Sequence, residues 1–169
     1  MRERTPKDPT DRGAAAVEFA LLFPIFFMVC IGTITFGFAF EKWISVTQAA
    51  REASRFAATY PNPNSGAWAT TVLTAAAESA GITLTGDNPT PPENYYICVR
   101  FTPQTAASPP IIQTTLGTLP GATCATSTLP DSRVDVTVSR LAQVNWLFGA
   151  NDLSVTGTNT SRFEPKLVP

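Results

Sequence analysis

The chain contains no histidine. That absence removes Ser-His-Asp and Cys-His catalysis in their usual forms, and nearly every catalytic zinc site. It also has no basic excess: 12 Lys and Arg stand against 13 Asp and Glu, for a net charge of −1. A nucleic-acid role therefore lacks its electrostatic footprint. Cysteine is scarce, with three residues in 169. No GxxxxGK[ST], GxSxG or zinc-ligand spacing occurs, and Asp131, Asp135 and Asp152 are scattered. Asn159-Thr160-Ser161 fits a glycosylation sequon, a tripeptide that recurs by chance. No cofactor is implied, and no enzyme activity is expected.

What is present is unevenly distributed. Seven of the 11 Phe fall between Phe19 and Phe40, a run of 22 residues without a charge. Only Thr33 and Thr35 are polar within it. At 1.5 Å per residue the run makes roughly 33 Å of helix, enough to cross a hydrocarbon core of about 30 Å. A core helix is the first alternative, but a chain this short has too little apolar surface left to cover it on every side. A cleaved signal peptide is the second. Its apolar region would be shorter, and Phe40-Glu41-Lys42-Trp43 offers no small-residue cleavage site. The run is therefore expected to remain attached as a membrane span, with Trp43 at the interface and Pro24 as a possible kink. Arg2, Arg4, Lys7 and Arg12 precede it, against Lys42, Arg51 and Arg55 after it. This bias slightly favours a cytoplasmic N-terminus.

Glu18 interrupts the small and apolar residues at the head of the run. A carboxylate there lies at the membrane edge or partly inside it, where ionisable groups are costly and usually functional. The bland reading is an interfacial residue favoured by the helix dipole. Further on, Glu41–Tyr60 has helix-forming alanines and apolar residues at spacings of three and four, and Pro61–Gly66 stops it. Ala67–Ala80 predicts a second helix ending at Gly81. Asn94–Phe101, Arg133–Leu141 and the weaker Leu153–Arg162 alternate as strands of a small antiparallel sheet. Residues 102–132, with Pro103, Pro109, Pro110, Pro120 and Pro130, are expected to form a long surface loop. Trp146-Leu147-Phe148-Gly149 is an apolar cluster, read by default as core and otherwise as a partner patch.

Cys98 and Cys124 both lie beyond the apolar run. An even pair in a small exported domain reads as a disulfide, worth roughly 3–4 kcal/mol in the chain-entropy picture. The alternative is two separate thiols. Cys30 lies within the apolar run and is expected to pack as a small apolar residue.

The segment Gly13-Ala14-Ala15-Ala16-Val17-Glu18-Phe19 resembles the processing site of Flp/Tad-type prepilins and pseudopilins. The longer run from Arg12 to Pro24 resembles the start of TadE-like proteins. Trp43–Ala58 is similar to the helix that follows the span in that family, and Thr158–Glu164 to its closing strand. The resemblance implies that a prepilin peptidase cuts between Gly13 and Ala14. It also implies that Glu18 is the glutamate at the fifth mature position, followed by the aromatic Phe19. Cleavage would free an α-amine at Ala14 with a reference pKa of about 7.7–8.0, and Glu18 would be its counter-charge.

The expected fold is α+β: a long N-terminal transmembrane helix continuing into an exported helix, then a small antiparallel sheet domain. The expected divisions are a cytoplasmic leader (1–13), the transmembrane and pilin-like helix (14–60) and an extracytoplasmic α+β domain (61–169). The implied function is a membrane-anchored pseudopilin or minor pilin needed to assemble a Tad-type adhesive pilus. Its implied partners are the cytoplasmic membrane, the peptidase and other Tad pilins and pseudopilins, and it has a place in the pilus itself. The alternative is a single-pass anchored protein presenting an unprocessed extracytoplasmic binding domain.

Overall fold

In the computed structural model, the residues described are 9–60, 63, 65–82, 94–104, 111–126, 131–146 and 149–163. Helix α1 (Pro9–Thr59) is one element of 51 residues. Helix α2 (Gly66–Ser79) follows, then strands β1 (Tyr95–Thr102), β2 (Ile112–Leu116), β3 (Arg133–Trp146) and β4 (Gly149–Arg162). The sheet order is β2-β1-β3-β4, with every neighbouring pair antiparallel. The architecture is the expected α+β arrangement of a long apolar helix followed by a small antiparallel sheet.

α1 stays helical through Pro24. Its two polar residues in the apolar run satisfy themselves locally. Thr33 Oγ1 donates to the Val29 carbonyl at 2.9 Å, and Thr35 Oγ1 to the Ile31 carbonyl at 2.8 Å. Neither hydroxyl then carries an unpaired donor into an apolar setting.

The distal half of α1 packs on the sheet through Val46, Ala49, Ala50, Ala53, Ser54 and Ala57, all buried and spaced by three or four residues. The side chains are small, so the backbones approach closely. The nearest approach is at Gly157 of β4. A Cβ added there would lie 2.6 Å from the Val46 carbonyl oxygen and 2.7 Å from the Thr47 Cα. Beside this contact, Ser54 Oγ accepts hydrogen bonds from Asn159 Nδ2 and Ser161 Oγ and donates to the Arg51 carbonyl. The interface is thus a small-residue seam with one polar clasp.

α2 is fastened to α1 by Trp68, which is fully buried and donates Nε1–H to the Ala57 carbonyl at 3.2 Å. Ser65 caps α2, its side chain accepting from the Trp68 amide. Gly81, at φ 71°, turns the chain out of α2 in the left-handed conformation that glycine adopts freely. Trp68 meets Phe101 edge-on at 6.1 Å, and Phe101 meets Phe163 at 5.2 Å. Around these rings the core closes with Ile97, Val99, Val134, Val136 and Val138 from the inner face of β1 and β3.

The other face of the sheet is covered by the segment after β2. Cys98 is joined to Cys124 by a disulfide, with Cα atoms 5.5 Å apart. Next to it the Ala125 amide donates to Thr137 Oγ1 at 2.9 Å, which gives this buried hydroxyl a partner. Thr160 donates to the buried Asp135 carboxylate at 2.6 Å.

Two expectations change. Residues 102–132 are not all loop, because Ile112–Leu116 pairs with β1 from Ile97↔Leu116 to Phe101↔Ile112. It is an edge strand, only half-buried, so its Thr-rich alternation is weak. The last two strands are also longer than their apolar alternation implies. β3 and β4 pair without interruption from Arg133↔Arg162 to Trp146↔Gly149. Pairing of β3 with β1 ends at Arg140, so residues 141–146 and their β4 partners form a two-stranded ribbon beyond the sheet. Of the apolar cluster Trp146–Gly149, Leu147 and Phe148 lie outside the described residues.

Candidate functional site: the bare head of the long helix

From Gly13 to Val29 every residue of α1 is exposed. The exposed side chains include Phe19, Leu21, Phe26 and Val29, each more than 60% accessible. The helix is long and apolar enough to cross a membrane, and its most apolar window has no burial inside the protein. A core helix of a soluble domain would be covered, so the head of α1 needs a partner outside this chain. Part of its surface is already organised. Phe19, Phe23 and Phe27 meet at successive i, i+4 positions with ring centroids 5.7 Å apart, the first pair tilted and the second stacked. Phe23, Pro24, Phe27, Met28 and Ile31 line a shallow apolar notch.

The four residues singled out from the sequence lie together at this end. Gly13 and Ala14 are in α1, and nothing crowds Gly13: a Cβ there would meet no atom within 4 Å. Glu18 stands four residues beyond Ala14, one turn up the same helix face. Among the described residues Glu18 has no hydrogen bond or ion pair within the chain. The one salt bridge among the described residues joins Arg133 to Asp131, at 3.3 Å. Phe19 is 66% exposed and touches Phe23. Cys98 and Cys124 lie far from this end, as the staple on the outer face of the sheet. Cys30 is half-buried and free, at the level where the bare helix ends.

The domain end offers a second group of polar residues. Lys42, Asn94, Tyr95, Arg140 and Gln143 line a cleft of about 440 Å³ between α1 and β3. The Arg140 guanidinium sits 4.8 Å over the Tyr95 ring. Burial pushes the Tyr95 hydroxyl pKa above its usual 10.0, and the Arg140 charge pulls it partly back. Among the described residues no group of three or more His, Cys, Asp or Glu could hold a metal ion.

Sequence reasoning missed Gly157, Ser54 and Asn159, which dock the helix on the sheet. A glycine inside a Thr- and Asn-rich strand was the available signal, since such a glycine marks a close backbone approach. No curated protein and no solved structure matches the chain. Residues 13–55 match the family model described as TadE-like protein, so the chain carries a TadE-like segment that begins at Gly13, runs through the bare head of α1 and ends within its docked half.

Proposed function

We propose that this protein is a pilin-like subunit of a Tad-type pilus system, acting by helix packing and not by catalysis. The observation that carries the proposal is the bare apolar head of α1, projecting from a folded α+β domain and lying within a TadE-like segment. α1 anchors the chain in the cytoplasmic membrane, with the domain on the far side. A prepilin peptidase cuts between Gly13 and Ala14. The uncrowded backbone at Gly13 suits close approach by a peptidase, because glycine presents no side chain at the bond to be cut. The new Ala14 amine then has the Glu18 carboxylate one helical turn away. Within one chain the two neutralise each other; between chains Glu18 registers one subunit against the next. Pairing offsets the desolvation of both charges, and its main product is register rather than stability.

Two substitutions separate these roles. Gly13→Leu should leave the uncut precursor. Glu18→Gln keeps the size and removes the charge, so this chain should insert and be cut but fail to co-purify with partner pilins. A purely interfacial Glu18 would be worth at most about 1 kcal/mol through the helix dipole, and its loss would leave piliation normal. A Glu18→Gln chain that is cut, co-purifies and supports normal pili refutes the counter-charge role.

A further inference from the structure

Two cations meet at one level where α1 leaves the apolar run and joins the sheet. Gly157 lies at Val46 and Thr47, and Asn159 and Ser161 reach Ser54, so β4 and α1 run in the same direction. β3 runs against β4, and its Val138 pairs with Gly157. Arg140, two residues further along β3, is thus about 7 Å nearer the head of α1. At about 1.5 Å per helical residue, that is the level of Lys42. The two side chains line the same cleft of about 440 Å³.

No residue lining this cleft is acidic. Among the described residues neither cation has an ion pair, the one salt bridge being that of Arg133 with Asp131. Like charges gathered at a half-buried junction repel, and an anion between them turns repulsion into attraction. Arg140 is steadied for such a contact by the Tyr95 ring, 4.8 Å beneath its guanidinium. The planar guanidinium offers paired N–H donors to a phosphate, and Lys42 adds a point charge. Asn94 and Gln143 contribute neutral hydrogen-bonding groups.

The cleft also has an apolar side. Phe38 and Ala39 line it, and both belong to the uncharged run that ends at Phe40. Phe38 is exposed. Lys42 is the first cation after that run, and the exposed Trp43 stands next to it. The cleft therefore straddles the end of the run, where a membrane-spanning helix meets headgroups. A free phosphate ion would use the polar lining alone. A phospholipid uses both sides, and one with net negative charge brings no ammonium of its own to the two cations.

We infer that this cleft, with α1 read as a membrane span, binds an anionic phospholipid, its phosphate between Lys42 and Arg140 and an acyl chain along Phe38. The test places full-length protein in phosphatidylcholine vesicles. A trace of phosphatidylglycerol or phosphatidylcholine, with a nitroxide deep in one acyl chain, reports by electron paramagnetic resonance the lipid held at the protein. The parent should hold the phosphatidylglycerol label several-fold more strongly. Lys42→Gln with Arg140→Gln should lose most of that preference. Lys42→Gln alone, which leaves the Arg140–Tyr95 contact intact, should lose part of it. Arg51→Gln with Arg55→Gln removes two exposed cations outside the cleft and should keep the preference. An equal loss in that control, or no loss in the cleft pair, overturns the site. A preference abolished by millimolar inorganic phosphate, but not by sodium chloride at the same ionic strength, makes free phosphate the ligand and overturns the lipid. Two labels held equally by the parent overturn the site while the span stands. No motionally restricted lipid with either label overturns the span itself.

Discussion

Gly157→Ala tests how the long helix is held on the sheet. The new methyl carbon would sit 2.6 Å from the Val46 carbonyl oxygen and 2.7 Å from the Thr47 backbone nitrogen. Both are main-chain atoms, so no side-chain rotation relieves the overlap. Ordinary contact needs about 3.4–4 Å, so α1 must retreat by roughly 1 Å. Overpacking of this kind costs about 1–3 kcal/mol, and a backbone obstacle puts Gly157→Ala toward the upper end. The retreat also stretches the clasp of Ser54 with Asn159 and Ser161 on the same seam. Replacing glycine restricts the unfolded chain and returns about 0.4–1 kcal/mol. The net expectation is a loss of about 2 kcal/mol. Urea unfolding of the full chain in micelles, followed by the fluorescence of buried Trp68, measures it. The midpoint should fall with the slope unchanged. Thr158→Ala, at the exposed neighbouring position, should stay within about 0.5 kcal/mol of the parent. A Gly157→Ala chain as stable as the parent refutes the close approach.

Two further outcomes follow from the domain. Replacing Cys98 and Cys124 together by serine opens a link between residues 26 apart in sequence. The chain-entropy relation gives a loss of about 3.5 kcal/mol, and alkylation before reduction should find only Cys30 reactive in the parent chain. Tyr95 is held neutral by burial, so its folded pKa lies above 10.0. Its contribution is complete below the unfolded value and is lost as the pH rises through the folded one. The parent should lose stability relative to Tyr95→Phe once the pH passes 10.0; parallel curves for the two chains would contradict the shift.

The head of the chain was legible because its signal is local. An uncharged run with Glu18 at its start needs no tertiary knowledge to be recognised, and α2 and β1 carry their own periodicity and stops. The partial burial of one side of α1 above Val29 was not legible, because hydropathy scores the half-buried Ile31 and Ala39 and the exposed Phe40 alike. The ribbon itself was hidden by Gln143, Asn145, Asn151 and Asp152, polar residues that break the alternation by which a half-buried strand is recognised. β2 was hidden because Ile112 and Leu116 flank a Gln-Thr-Thr stretch among prolines. Strand pairing supplied what its composition withheld. Gly157 matters only through what lies opposite it, 110 residues or so earlier in the chain. Gly13, Ala14, Glu18 and Phe19 lie together at the head of α1, and the roles proposed for them involve proteins outside this chain.

The chain is proposed to enter its assembly as a processed pilin-like subunit. N-terminal sequencing and intact-mass measurement of the protein from membranes and sheared surface fibres of its native host test it most directly. The chain recovered there should begin at Ala14, lacking the first 13 residues. A chain in the assembled fraction that still carries Gly13 and the residues before it would contradict the account.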